Sequence, residues 1–241
     1  MLKRHIDKLG KAVWFLGINP PEKWHEKDEH LVVGIDAEWT PKYELISWQM
    51  SMNGEARIYD MRGQKSVDPV WIRETIKRWC KTVNIMTTPK IVLLTFAAFA
   101  ELQWMSVFKA FRRIPCGLGA DYVFSTSKNR SLETLDIARF FPGMSLASVA
   151  KSFNREKLEW KHELTTLKSF DDPEFQTYAK NDAYLCDVCW KDYRKMVYEK
   201  VGVDPQRYRT PARVFSIASC CWRDYVEMQR APIRDTATSH A

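Results

Sequence analysis

Apolar and polar positions divide the chain into segments of two periods. LVVGID at 31–36 is a continuous, β-branched run, the pattern of a strand buried on both faces. YELISWQMS (43–51) alternates well enough for a second strand, and ARIYDM (56–61) follows as a third. Asn53-Gly54 between them is a strong hairpin signal. The pattern therefore predicts an antiparallel meander of three strands. VDPVWIRETIKRWCKTV (67–83) then shows apolar residues at helical spacing, with Asp68-Pro69 as a helix start. KIVLLTF (90–96) reads as a fourth strand, FAELQWMSVFKAF (99–111) as an amphipathic helix and YVFST (122–126) as a fifth strand. SLETLDIARFF (131–141) looks helical, as does SLASVAKSF (145–153) with its serine cap. The longest helical pattern spans 172–201, opened by Asp172-Pro173, and a last helix is predicted over 210–229. A meander followed by alternating strands and helices predicts an α/β fold, a mixed five-stranded sheet flanked by helices. Residues 1–30 read as a peripheral extension, 31–200 as the main domain, and 201–241 as a helix and tail packed on it.

With 45% apolar and 13% aromatic residues, the 241-residue chain can bury a sizeable core. Its net charge of +7 points to an anionic partner, most commonly nucleic acid. No apolar stretch approaches the roughly 18 residues needed to cross a bilayer, and the first residues lack the apolar region of a secretory signal. No membrane association is therefore expected. Six scattered cysteines do not form the pattern of a disulfide framework, which suggests a reducing, intracellular compartment. Cys186 and Cys189 read as buried helix residues rather than half of a zinc site, because no second ligand pair follows.

The first strand ends in an unusual way. In VVGIDAEWT (32–40), Asp36 and Glu38 stand two residues apart, so a strand points both carboxylates to one face. Adjacent carboxylates repel unless a positive charge lies between them, and hard oxygen donors suit Mg²⁺ or Mn²⁺. A solvated strand end carrying two exposed acids is the competing reading. In YAKND (178–182), Tyr178 and Asp182 stand four apart on a predicted helix and share a side of it.

Taken in order, these two segments resemble the DEDDy branch of the DnaQ-like, ribonuclease H-like 3′–5′ exonucleases. GIDAEW (34–39) matches the first motif of that family and YAKND the third. The connecting TLDIARFFPGMSLASVAKSF (134–153) is similar to proofreading domains of family-B polymerases, especially the protein-primed type. The DAEW and YAxxDAY wording is also similar to ribonuclease D and Werner-type exonucleases. The resemblance covers roughly residues 30–200. It implies a ribonuclease H-like fold and hydrolysis of single nucleotides from a single-stranded 3′ end of DNA or RNA. Two divalent ions, Mg or Mn, would lie about 4 Å apart. Asp36, Glu38 and Asp182 would hold them and Tyr178 would orient the attacking water. Lys157, in KLEW, would steady the phosphate or leaving group, and Lys161 fits the same pattern. TPARVFSIASCCWRDYVE (210–227) weakly resembles the stretch after the exonuclease domain in some linear-plasmid polymerases, so a polymerase domain or other replication or processing protein is an implied partner.

One position departs from the family. Its second motif carries an aspartate where FAAFAELQWM (96–105) has Ala100. Three explanations stay open: an aspartate replaced by alanine so that cleavage stops, substitution by Glu101 one residue later, or a relative that binds nucleic acid without cutting it. Phe96, Phe99 and Trp39 are candidates to stack on bases. Arg130, in SKNR, is a candidate phosphate contact, as are Arg112-Arg113 and RYRTPAR (207–213).

Overall fold

The computed structural model describes residues 31–82, 91–106, 112–116, 119–125, 131–161, 165–201, 204 and 205. The chain divides into two compact units, His25–Tyr193 and a second made of Met1–Trp24 with Arg194–Ala241. Within the second, Arg194 donates to both carboxylate oxygens of Asp204 at 2.9 and 2.7 Å. The predicted 1–30 extension and 210–229 helix lie outside the described residues.

The first unit is built on one mixed sheet. Its strands are β1 (Leu31–Trp39), β2 (Leu45–Met52), β3 (Glu55–Asp60), β4 (Ile91–Thr95), β5 (Arg112–Cys116), β6 (Gly119–Ser125) and β7 (Ser131–Asp136). The helices are α1 (Pro69–Thr82), α2 (Ala98–Leu102), α3 (Leu146–Ser152) and α4 (Pro173–Val201). In space the strands run β3-β2-β1-β4-β7-β6-β5. The meander β1-β2-β3 is antiparallel, and β4 and β7 add in parallel beside β1. These five strands, flanked by helices, are the expected ribonuclease H-like arrangement. The β5-β6 hairpin pairs antiparallel onto β7 and widens the sheet to seven strands.

Two predicted elements differ. SLETLD is strand β7 rather than the start of a helix, and Ile137–Phe140 forms a 3-10 turn after it. Of the helix expected over 99–111, Ala98–Leu102 is helical and 103–106 is not, while 107–111 lie outside the described residues. After it, Val67 N–H donates to Trp104 O at 2.7 Å and Ser106 N–H to Val67 O at 3.0 Å. These bonds draw the backbone out of the helical path.

The period of two along β1 separates its faces. Val33, Ile35 and Ala37 join one core with Trp48, Met50, Ile72, Ile76 and Trp79. Gly34, Asp36 and Glu38 take the other side, where α4 runs. Gly34 is the point of closest approach: a Cβ built there meets the backbone oxygen of Ala183 and stands 2.9 Å from Asp187 N. Asp187 in turn accepts from Ser51 Oγ at 2.9 Å and from Gly54 N–H at 2.8 Å, tying the β2–β3 hairpin to α4. Gly34→Ala is expected to push α4 off the sheet and lower the unfolding free energy by about 1–3 kcal/mol, the usual cost of overpacking. Urea denaturation would check this; an unchanged midpoint would show that α4 is not seated against β1 as described.

Candidate active site

β1 and α4 each deliver one half of an acidic cluster. Asp36 and Glu38 project from the end of β1, opposite Gln49 and Ser47 of β2. Gln49 and Ser47 are buried, and Gln49 Nε2 donates to Ser47 Oγ at 2.7 Å. The floor beside the acids is therefore polar. From α4, Tyr178 and Asp182 arrive one helical turn apart. The Tyr178 hydroxyl hydrogen-bonds to Glu38. The predicted set Asp36, Glu38, Tyr178 and Asp182 is thus brought together.

Lys157 also reaches this place, and the asparagine of YAKND helps to put it there. Asn181 Oδ1 accepts from Leu158 N–H at 2.9 Å, and its Nδ2 donates to Glu156 O at 3.4 Å. This bracket holds the loop over α4, and Lys157 Nζ pairs with Asp182 Oδ2. Trp160, three residues on, packs on Phe175 and Tyr178 with ring centroids at 5.1 and 6.0 Å. Lys161 points elsewhere: its side chain is 80% exposed and pairs with Glu174 at 4.0 Å.

Glu101 is the fourth acid in the cluster. It is 6% exposed on α2 and lies against Asp36 and the backbone of Ala37. Two carboxyl groups this close raise each other's proton affinity. Burial, then Glu101, Glu38 and Asp182, push the Asp36 carboxyl well above its usual range, against a smaller opposing pull from Lys157. Burial first, and then Glu38, push Glu101 up to about 8. Burial and Asp182 push Glu38 up to about 7, with Lys157 and the Tyr178 hydrogen bond opposing. Burial and the charges of Glu38 and Asp182 also raise the Tyr178 phenol, so it remains a donor.

Asp36 Oδ2, Glu101 Oε2 and Asp182 Oδ1 are shut off from solvent and have no hydrogen-bond partner. Among the described residues no three acidic, histidine or cysteine side chains form a ready-made metal cage. The other Asp182 oxygen pairs with the Lys157 ammonium. The donor set still fits divalent cations. Hard anionic oxygens are what Mg²⁺ and Mn²⁺ take, and a buried carboxylate oxygen without a partner is costly until a cation or donor meets it.

The aromatic candidates separate. Phe99 is 65% exposed on α2 and Phe96 is half-buried just before it. Trp39 falls on the opposite face of β1 from Glu38, packed on Trp104 with centroids 5.7 Å apart. Arg130 and the 207–213 run lie outside the described residues, as do the side chains of Arg112 and Arg113. Cys186 and Cys189 are buried on α4, and Cys186 lies close enough to Asp36 for its thiol to feel that charge. Among the described residues no helix is long and apolar enough to cross a membrane.

Asp136 escaped the sequence reading. At the end of β7 its carboxylate accepts from Ala97 N–H at 3.2 Å, Ala98 N–H at 3.0 Å and Ala138 N–H at 3.1 Å. It thereby fixes the start of α2, which carries Glu101. The available signal was an aspartate that caps the turn after a strand.

No family model matches this chain, and no curated protein does. Among solved structures, one described as phi29 DNA polymerase complexed with single-stranded DNA aligns with a TM-score of 0.42 and 13% identity, over 68% of this chain and 31% of that one. The chain thus spans about a third of that structure's length.

Proposed function

We propose that this chain is a metal-dependent 3′–5′ exonuclease acting on single-stranded nucleic acid. The observation that carries the proposal is the set of partnerless, buried carboxylate oxygens in one acidic cluster. Asp36, Glu38 and Asp182 would hold two divalent ions. When bound, such ions supply Lewis-acid stabilisation of the phosphate and lower the pKa of a coordinated water. The chain's own groups perform the remaining work. Tyr178, kept protonated, donates a hydrogen bond and orients the attacking water. It is too weak a base to remove the proton itself. Lys157 places a positive charge beside Asp182 that can pass to a phosphate oxygen when substrate and metal arrive. Exposed Phe99 offers an aromatic face for the terminal base, an interaction that tolerates any sequence. The 3′-to-5′ polarity is taken from the resemblance of DAE and YAKND to the exonuclease motifs, and the +7 charge suits a polyanionic substrate.

Ala100 favours a second reading, a nucleic-acid-binding module built on a nuclease fold. One experiment separates the two. On 5′-labelled single-stranded DNA and RNA, the enzyme is expected to give a ladder shortening from the 3′ end with Mn²⁺ or Mg²⁺ and none with EDTA. Tight binding with no ladder in either metal would leave the binding module. The relative cleavage of DNA and RNA names the substrate.

A further inference from the structure

The family pattern puts its fourth acid where this chain has Ala100. Resting on the exonuclease reading, we propose that Glu101 is that fourth metal ligand, brought into register by the way the chain enters and leaves α2.

The entry is fixed first. After β4, Ala97 adopts φ 92° and ψ 65°, left-handed backbone that a residue with a Cβ rarely takes. Such strain persists when the surroundings hold it, and here Asp136 does so by accepting both the Ala97 and the Ala98 N–H groups. The exit is fixed by the bonds between Val67 and the 104–106 backbone. With both ends pinned, the rotation of the helix is set. Its buried side consists of Ala98, Glu101 and Leu102. Phe99 is exposed and Ala100 half-buried. One residue along a helix is a turn of about 100°, so position 101, not 100, faces Asp36.

The second observation is independent of that register. Glu101 is 6% exposed, yet its Oε2 has no partner. Its other contacts are Asp36 and the backbone of Ala37, which place it beside the β1 acids and not in the apolar core. A glutamate also carries one methylene more than aspartate, reach that a ligand on a short helix set off from β1 can use. In this geometry Ala100 leaves the charge of the site intact: the acid has moved by one residue and lengthened.

Direct counting of bound Mn²⁺, by calorimetry and by the loss of free-ion paramagnetic resonance signal at pH 8, tests this without relying on turnover. The unmodified protein is expected to take two ions. Glu101→Gln, which keeps the shape and the Ala37 contact, is expected to take one, with the second weakened at least about tenfold. Glu101→Asp keeps the charge but loses reach and is expected to fall between. Adding Ala100→Asp to Glu101→Gln is expected not to restore the second ion. Circular dichroism on each variant confirms folding. Two ions at unchanged affinity in Glu101→Gln would overturn the assignment and leave the exonuclease reading standing. Full restoration by Ala100→Asp would likewise overturn it, returning the ligand to position 100. An unmodified protein that takes no Mn²⁺ would remove the metal reading and this assignment together.

Discussion

Asp36→Asn is expected to slow 3′-end hydrolysis on the order of a thousandfold, the scale seen when one electrostatic element of a preorganised site is removed, and to leave the metal-free fold at least as stable. The two halves of this expectation have one cause. Glu101, Glu38 and Asp182 each raise the proton affinity of Asp36. A group surrounded in this way helps to hold a cation, and its charge is poorly tolerated without one. Asparagine keeps the shape and offers an N–H to Glu101, so two acids no longer face each other there. A structural acid would behave in the opposite way, losing stability along with activity. Single-turnover cleavage of a labelled oligonucleotide with saturating Mg²⁺, beside melting in EDTA, reads both halves. A rate within a few-fold of the unmodified protein would place the reacting phosphate somewhere other than Asp36.

Much of this site could be read from the sequence because it sits on long elements with clear periods. The β-branched run at 31–36 fixed which way the two acids of DAE face, and the 29-residue helix α4 carried Tyr178 and Asp182 one turn apart. Past a register shift between Glu38 and Trp39, Trp39 packs partly buried against the core beside Trp104, which weakens its standing as a base-stacking residue. The misreadings came where local pattern and tertiary context disagree. Leu132 and Leu135 are three apart and suggest a helix, but SLETLD is clasped between β4 and β6, and burial with ladder bonding on both sides overrides the propensity. Arg112–Cys116 contains Pro115, which argues against a strand in a sheet interior. β5 is the last strand in the order, where a missing N–H is tolerated. Glu101 was the hardest to place. Sequence spacing puts the family's acid at position 100, and the one-residue shift depends on Ala97 taking a left-handed conformation and on a bracket from Asp136, 39 residues away. No short window of sequence contains both.

In EDTA the melting temperature is expected to fall as pH rises from about 5 to about 8, the reverse of a protein held by salt-bridged carboxylates. In the unfolded chain Glu38 and Glu101 lose their protons near 4.5; in the fold they keep them until about 7 and about 8. Below the lower value both states are protonated and these groups contribute no difference. Between the two, the folded state binds more protons than the unfolded, so stability declines with each step in pH, and buried Asp36 adds to the decline in the same direction. A tenfold change in proton affinity is worth about 1.4 kcal/mol. The two carboxyls repel each other and share part of their shifts, so together they amount to a few kcal/mol, a sizeable part of the roughly 5–15 kcal/mol that holds a domain folded. Glu38→Gln or Glu101→Gln should flatten the decline, since an amide never ionises. Mn²⁺ should act more at the high end of this range: at pH 8 less work than at pH 5 is needed to deprotonate its ligands, and an ion at a hundred times its dissociation constant adds about 2.7 kcal/mol. At pH 5 the same ion must compete with protons and should shift melting little. An EDTA curve that is flat or rising over this range, and unchanged in Glu38→Gln, would mean that the carboxyls are not confined together as described. If instead the decline appears and Mn²⁺ reverses it at high pH, the strain among these acids is the same free energy that the bound ions relieve.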